Sequence, residues 1–234
     1  MYFWNYTFRV SIRPVIKAIV FDFDGVIVRQ SEFSKQEVWE ELFPLGTPER
    51  EEFSKAEKLY GGGRGGDRFD IIRYVYENVP KLRGTTLESI VADTECHFDE
   101  TVQMRIVNEG ILAHDKQTLV ELSRSRSLYL NSATPVDALK RTLQNLGLEG
   151  VFKGVLGRPL SKVENFRRVA AEEDLSPAEI LFVGDSEADV KAAKEFGCLF
   201  VGLGNDWNTW QEGGKEFPIV KDLAEVKKLV SDSA

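Results

Sequence analysis

The sequence predicts an α/β protein, in which a Rossmann-like parallel sheet core carries a small helical domain inserted after the first strand. Three observations lead to this prediction. The β-branched apolar run at 15–21 has the length and composition of a strand that is buried on both faces. The stretch from 31 to 110 holds charged, helical-looking segments without a convincing strand. After it, apolar runs alternate with amphipathic segments, which is typical of a parallel sheet with right-handed crossovers.

The positions of these segments predict two domains. We expect residues 1–28 and 110–234 to form the α/β core, and residues 29–109 to form the helical insert. A chain of 234 residues is long enough for one large core and a small satellite domain. No internal repeat or low-complexity linker is present, so short hinges near Val28 and Gly110 should join the two domains.

The elements after the insert alternate in type. The segment 114–125 should be a helix capped by Asp115, and a strand is expected at 127–130. A helix at 135–146 should follow and end at Gly147. The remaining expected elements are strands at 152–157, 180–183 and 198–201 and helices at 163–174 and 187–196.

Composition narrows the functional class. Hydrophobic residues make up 42% of the chain and charged residues 29%, which argues against disorder, and no stretch approaches a membrane-spanning length. The net charge of −8 disfavours a broad nucleic-acid surface. The two cysteines, Cys96 and Cys198, lie far apart, and the aromatic opening segment lacks the apolar run and cleavage site of a signal peptide. We therefore expect a cytoplasmic protein with no nucleic-acid or membrane partner.

Polar residues follow four of the predicted strands, at the edge where ligands bind in an open parallel sheet. They are Asp22 and Asp24 after the first strand, Ser132 at the end of the second with Ala133 beside it, Lys162 after the third, and Asp185 and Asp189 after the fourth. Clustered carboxylates repel one another unless a cation is present, and a few Asp oxygens with open positions suit Mg²⁺. Lys162 would add a fixed positive charge, and Ser132, beside free backbone amides, can donate to a phosphoryl oxygen.

The same residues, in the same order, resemble the four motifs of the haloacid dehalogenase (HAD) superfamily. FDFDGV is similar to the first motif, the Ser in LYLNSAT to the second, Lys162 to the third and GDSEAD to the fourth. The resemblance covers nearly the whole chain from about Val15. The helical insert falls where the phosphoglycolate phosphatase and β-phosphoglucomutase subgroup of this family has a C1 cap domain.

The resemblance implies a role for each site residue. Asp22 would be the nucleophile that forms an aspartyl-phosphate, and Asp24 would protonate the leaving group and then activate water. Asp185 would ligate Mg²⁺ together with Asp22 and the backbone carbonyl of Asp24, with Asp189 in an outer, supporting position. Ser132 and Ala133 would contact the phosphoryl group, as their place in the second motif implies.

The second carboxylate favours cleavage of P–O bonds over C–halogen bonds, because a departing alkoxide needs a proton donor such as Asp24. We therefore expect a phosphatase for a small phosphorylated metabolite, since a closing cap leaves little room for a macromolecule. Two alternatives stay open: a sugar-phosphate mutase and a non-catalytic regulatory protein on a HAD scaffold. Ser34, at the place where mutases of the family carry a catalytic His, argues against the mutase. The oligomeric state is not predicted.

A glycine-rich run in the insert, LYGGGRGGDR at 59–68, resembles a phosphate-binding loop but lacks the Gly-Lys-Ser/Thr ending. It lies between two predicted helices, where C1-capped proteins carry a loop that faces the active site. Arg64 and Arg68 are candidates to bind a second anionic group of the substrate, and a plain flexible turn is the alternative. At the predicted hinge, Arg29 stands where the nearest subgroups often carry an acidic residue.

Overall fold

A computed structural model shows how the chain divides. It describes residues 15–60, 68–79, 86–211 and 214–231. The chain forms two compact units: a core unit, Met1–Arg29 with Gly110–Ala234, and a helical unit, Gln30–Glu109. The chain therefore first passes from the core unit to the helical unit after Arg29, one residue beyond the predicted boundary. That the helical unit acts as a cap stays a prediction.

The core unit is built on a parallel six-stranded sheet with the order β3-β2-β1-β4-β5-β6. The strands are β1 (Ala18–Phe21), β2 (Ser127–Pro135), β3 (Gly154–Arg158), β4 (Ile180–Gly184), β5 (Leu199–Leu203) and β6 (Ile219–Val220). The chain order reverses at β1, which pairs with β2 on one side and with β4 on the other. In open α/β sheets, ligands bind at such a switch point. The parallel sheet and its helices confirm the predicted α/β fold.

The strands form because their residues are apolar on both faces. All four residues of β1 are buried, and Ala18 and Val20 belong to a cluster with Phe166 and Phe182. The alternate residues Ile19 and Phe21 are also fully buried, so helices cover the sheet on both sides. This continuous burial explains why the residues of β1 are apolar without polar alternation.

Five helices of the core unit follow the strands in sequence. They are α5 (Ala113–Ser123), α6 (Val136–Asn145), α7 (Lys162–Glu173), α8 (Glu187–Phe196) and α9 (Leu223–Ser231). Helix α5 packs against α9, and α7 packs against α8. Ser161 and Ser186 begin α7 and α8 with capping boxes, which fixes both helix starts beside the sheet.

Several details of the core unit differ from the predictions. Strand β1 begins at Ala18, after the predicted start at Val15, and both Val15 and Lys17 are exposed. Asp115 does not cap α5: the helix begins at Ala113, and buried Asp115 lies in its first turn, where it accepts hydrogen bonds from Arg29 and from the backbone N–H of Leu223. Strand β2 continues to Pro135, beyond the expected end at residue 130. Strand β6 and helix α9 were not expected from the sequence.

The helical unit consists of four helices in its described residues. They are α1 (Ser31–Leu42), α2 (Pro48–Tyr60), α3 (Arg68–Asn78) and α4 (Leu87–Glu109). Helix α1 packs against α4, and α3 contacts both α2 and α4. Its apolar cluster is centred on the rings of Phe43 and Phe53, with Trp39 stacked beside them. In the described part of the chain, no helix combines the length and apolar character needed to cross a bilayer.

Candidate active site

Three buried carboxylates meet at the switch point of the sheet. Asp22 directly follows β1, Asp185 directly follows β4, and Asp189 lies in the first turn of α8. One carboxylate oxygen of each lies within 4.8 Å of those of the other two. The three are at most 7% exposed, so water screens their mutual repulsion poorly. The sequence-predicted residues from two separate motifs are therefore adjacent in the fold.

Lys162 provides the cation of this cluster. As the first residue of α7, it reaches Asp22 with its Nζ 2.8 Å from Oδ2, and Asp189 with its Nζ 2.5 Å from Oδ1. The other oxygen of Asp22, Oδ1, accepts a hydrogen bond of 2.7 Å from the backbone N–H of Phe23. The Asp22 carboxylate is thus fixed at both oxygens.

Asp189 supports the site from behind. Its Oδ2 accepts hydrogen bonds from the backbone N–H groups of Asp185 (3.2 Å) and Ser186 (3.1 Å) and from the Ser186 hydroxyl (2.7 Å). Its Oδ1 is engaged by Lys162. Because Oδ2 of Asp189 already accepts three hydrogen bonds and its Oδ1 is paired with Lys162, this geometry suits a residue that orients the cluster.

The electrostatics of the cluster can accommodate a further cation. Burial raises the pKa of Asp22 well above its usual range, and the charge of Asp189 adds to this shift, while Lys162 opposes it. Burial alone would lower the pKa of Lys162, but Asp189 and Asp22 together raise it above its ordinary value. One ammonium group therefore does not balance the gathered carboxylates. Hard oxygen donors with excess negative charge fit Mg²⁺.

Gly25 allows the first motif to lie directly against the Asp185 carboxylate. Its φ of +72° lies in the left-handed region, and a Cβ atom built there would be 1.9 Å from Oδ2 of Asp185. Any side chain at this position would collide with the Asp185 carboxylate. The turn after Asp24 thus requires glycine for both its backbone conformation and its packing.

The segment with the second motif contacts Asp24, the predicted proton donor. The Thr134 hydroxyl donates a hydrogen bond of 3.2 Å to Oδ2 of Asp24, and its backbone N–H donates to the Ser132 hydroxyl oxygen at 3.1 Å. Ser132 is buried, whereas the side chain of Ala133 is exposed. The structure therefore brings Ser132 close to Asp24 through Thr134, a residue that the sequence reasoning did not single out.

A pair of buried asparagines places Lys162. Asn131, at the end of the apolar part of β2, donates a hydrogen bond of 2.9 Å to the Lys162 carbonyl oxygen. Asn165, one turn into α7, donates to the Asn131 side-chain oxygen at 3.0 Å. These bonds fix the start of α7 against β2, and the Lys162 side chain extends from there over the ring of Phe182.

Two more asparagines, in the loop after β5, contact the site. The Asn205 side-chain nitrogen donates to Oδ2 of Asp185 (2.8 Å) and to the Gly25 carbonyl oxygen (3.0 Å). The Asn208 side-chain nitrogen donates to the Asp185 carbonyl oxygen (2.8 Å) and to the Leu203 carbonyl oxygen (2.9 Å). Neither asparagine was predicted as a site residue. The one signal that the sequence offers for them is that their loop follows a strand of the parallel sheet.

The remaining predicted residues lie in the helical unit. Arg64 falls outside the described residues. Arg68 begins α3 and forms ion pairs with Glu95 (3.2 Å) and Asp99 (2.8 Å) of α4. Ser34 is buried and donates a hydrogen bond of 2.7 Å to Glu109.

Comparisons with known proteins identify the family of this chain. A protein-family model described as haloacid dehalogenase-like hydrolase matches residues 16–197. The phosphoglycolate phosphatase of Salmonella choleraesuis (strain SC-B67) is 27% identical over 211 residues, which cover 82% of this chain and 83% of that protein.

Solved structures show the same fold. A predicted phosphoglycolate phosphatase from Haemophilus somnus 129PT superposes with a TM-score of 0.65 at 20% identity, over 92% of this chain and 97% of that one. The β-phosphoglucomutase of Clostridium difficile also gives 0.65 at 20% identity, over 93% and 96%. With the family match and phosphatase relatives, the predicted family and enzyme class are confirmed. The chain belongs to the haloacid dehalogenase-like hydrolase family.

Proposed function

We propose that this protein is a Mg²⁺-dependent phosphatase that hydrolyses a small phosphorylated metabolite through an aspartyl-phosphate on Asp22. The observation that supports this proposal is the pairing of a fixed carboxylate, Asp22, with a second carboxylate two residues later in the same loop. Asp22 is oriented by the Phe23 N–H and by Lys162, as a nucleophile needs to be.

The proposed reaction has two steps. First, an Asp22 carboxylate oxygen bonds to phosphorus while the ester P–O bond breaks, and Asp24 gives its proton to the departing alkoxide. Asp24, now a carboxylate held by Thr134, then takes a proton from water. The resulting hydroxide attacks phosphorus, which releases inorganic phosphate and restores the Asp22 carboxylate. Lys162 and Ser132 stabilise the charge that develops on the phosphoryl oxygens.

Asp22, Asp185 and the Asp24 carbonyl are the proposed Mg²⁺ ligands, and Asp189 is the outer support. When bound, Mg²⁺ supplies positive charge that neutralises the phosphoryl oxygens and the carboxylate cluster. The fit rests on three buried carboxylates at ligand spacing and on the raised pKa of Asp22, which burial and Asp189 cause. The bound ion would thus offset the repulsion between the carboxylates, which the charge of Lys162 alone does not neutralise.

For the substrate, the phosphoglycolate phosphatases among the relatives suggest phosphoglycolate as the first compound to test. We propose that the helical unit acts as a cap and that Arg64 and Arg68 contact a second anionic group. A substrate anion would have to compete with Glu95 and Asp99 for Arg68. We propose a cytoplasmic location, which fits both a small phosphorylated metabolite as the substrate and two cysteines that lie far apart in the sequence.

The test is phosphate release from a panel of phosphorylated metabolites with and without Mg²⁺. Asp22→Asn should lower kcat by more than about 10³-fold, since it removes the nucleophile and keeps the shape. Asp137→Asn, an exposed carboxylate in the first turn of α6, is the matched control and should keep its activity. Conversion of a sugar phosphate without phosphate release would indicate a mutase instead. Binding of Mg²⁺ or phosphate without turnover across the panel would indicate the regulatory alternative.

A further inference from the structure

The loop after β5 contacts two elements of the active site through one side chain. The Asn205 side-chain nitrogen has two hydrogens, and both are used: one bonds Oδ2 of Asp185 and the other the Gly25 carbonyl oxygen. Gly25 belongs to the loop after β1 and Asp185 to the loop after β4. A single amide thus joins the two loops that carry the proposed metal ligands.

The orientation of this amide is fixed by its other end. The Asn205 side-chain oxygen accepts hydrogen bonds from the backbone N–H groups of Trp207 (3.0 Å) and Asn208 (2.9 Å). Donors face this oxygen and acceptors face the nitrogen, so the reversed amide would lose all four bonds. The amide therefore presents its N–H groups to Asp185 and Gly25.

The loop itself is anchored to the sheet. Asn208 donates to the carbonyl oxygens of Asp185 and Leu203, and its side-chain oxygen accepts from the backbone N–H of Trp210 at 2.9 Å. The Trp210 ring packs on Gly202 of β5, where an added Cβ would lie 3.0 Å from it. Asn205 is thus held in place before any ligand arrives.

From this geometry we infer that Asn205 is a positioning residue for the Mg²⁺ ligand Asp185. Asn205 and the contact with Gly25 both restrict Oδ2 of Asp185, and this fixes the rotation of the carboxylate. A neutral amide suits this task, because it orients the carboxylate without supplying a charge that would compete with the ion. Removing a supporting partner of a metal ligand typically weakens metal affinity about 10–100-fold.

This inference rests on the proposed Mg²⁺ site, but its test uses no substrate. Metal-stripped, full-length protein is titrated with MgCl₂ by calorimetry, and the unfolding midpoint Tm of the metal-free protein is measured in parallel. Asn205→Ala should weaken Mg²⁺ binding about 10-fold or more, while Tm in the absence of metal falls by no more than about 4 °C. Asp185→Ala should abolish binding. Asn145→Ala, an exposed asparagine at the end of α6, should match the wild type.

If Asn205→Ala does not give folded protein, Asn205→Leu, of similar size but without the donor, is measured in its place. Wild-type Mg²⁺ affinity in the folded variant would overturn the inference, and so would an equal loss in Asn145→Ala or a wild-type protein that binds no Mg²⁺. With an active substrate, the variant should need more Mg²⁺ for half-maximal rate and recover most of kcat at saturating Mg²⁺. A protein that binds Mg²⁺ but hydrolyses nothing would refute the proposed activity and leave the affinity comparison decisive for Asn205.

Discussion

At the scale of single residues, Gly25 and Gly150 share a backbone conformation but differ in the space around them. Both have φ near +75°, at +72° and +75°, but a Cβ at Gly25 would lie 1.9 Å from the Asp185 carboxylate, whereas nothing lies within 4 Å of one at Gly150. The two positions thus separate the cost of a left-handed backbone from the cost of a collision at the active site.

We expect Gly150→Ala to lower the free energy of unfolding by about 1–2 kcal/mol, the cost of a left-handed conformation. Gly25→Ala should cost more than that and should also weaken Mg²⁺ binding, because Asp185 has to move. Urea denaturation and Mg²⁺ titration of both variants measure the difference. Equal losses of stability with unchanged Mg²⁺ affinity would show that Asp185 does not depend on this contact.

The Thr134 hydroxyl offers a second test at this scale, since it donates to Oδ2 of Asp24. Thr134→Val keeps the shape but removes a hydrogen bond worth about 1 kcal/mol, so kcat should fall about fivefold. Thr134→Ser keeps the hydroxyl and serves as the control, with kcat within about twofold of the wild type. Equal kcat values for the Val and Ser variants would refute a role for this hydrogen bond.

The residues that the sequence reveals at the site share one property: each sits next to a strong strand signal. Asp22 and Asp185 directly follow buried apolar runs, so their meeting could be predicted from the parallel sheet alone. Thr134 and Asn205 could not be predicted in this way. Thr134 lies in the part of β2 beyond the expected strand end, and Asn205 lies in a loop whose path decides what its side chain reaches.

At the scale of elements, the hydrogen bonds between β2 and α7 determine where Lys162 stands. Asn131→Ala would leave the Lys162 carbonyl oxygen and the Asn165 amide without their partner in a buried setting. We expect a loss of about 1–3 kcal/mol in the free energy of unfolding, together with lower phosphatase activity. Chemical denaturation measures the first effect, and Asn145→Ala should change stability by less than about 0.5 kcal/mol. A stable but inactive Asn131 variant would show that the network matters for catalysis alone.

The start of β1 provides a pH-dependent contact with the turn before β4. Lys17 lies 2.6 Å from Glu179, and this hydrogen bond, aided by Ser176, lowers the pKa of Glu179 to about 2 from the ordinary 4.5. The carboxylate form is therefore favoured in the folded state, and its stabilising effect is present above pH 4.5 and is lost as the pH falls toward 2.

We therefore expect Glu179→Gln to be less stable than the wild type at pH 6, with a difference that shrinks as the pH is lowered from about 4.5 toward 2. Denaturant titrations at pH 6, 4 and 3 measure this difference. Because the pair is partly exposed, it should also decrease in high salt. A difference that stays constant with pH would exclude Glu179 as its source.

The helices and strands could be predicted where the periodicity of apolar residues is strong, but not where an element is short. Helix α8 was expected at 187–196 and spans Glu187–Phe196, because Ser186 and Gly197 mark both of its ends. Strand β6 has only two residues, too few for a pattern, and is defined by its pairing with β5. The prediction that Asp115 caps α5 was wrong for another reason. A carboxylate near the start of a helix is typical of a cap, whereas the burial of Asp115 beside Arg29 depends on tertiary contacts.

At the scale of the whole molecule, Arg29 marks the point where the chain leaves the core unit. Its guanidinium pairs with buried Asp115, which follows the return of the chain at Gly110, and also donates to the Lys221 carbonyl oxygen at 2.7 Å. The departing and returning segments are thus bonded to each other and to the segment before α9. A cation at this position, where the nearest subgroups often carry an acidic residue, has a partner in this chain.

Arg29→Met should therefore lower the free energy of unfolding by at least about 2 kcal/mol, because it leaves a buried carboxylate without its cation. The double variant Arg29→Met with Asp115→Leu should recover part of this loss, since a well-packed apolar pair can replace a buried ion pair. Denaturant titration of the two single variants and the double variant measures the coupling. A double variant that loses the sum of both single effects would show that the pair contributes no coupling energy.

The pairing of β1 with β4 has a consequence for how the protein is made. Ala18 pairs with Ile180, so the strand that precedes Asp22 leaves the ribosome well before its neighbour, which emerges only after the residues between them have been made. Contacts between such distant parts of a chain form slowly. The nascent protein therefore carries Asp22 and Asp24 without Asp185 while those residues are made, and the carboxylate cluster is assembled only after β4 has emerged.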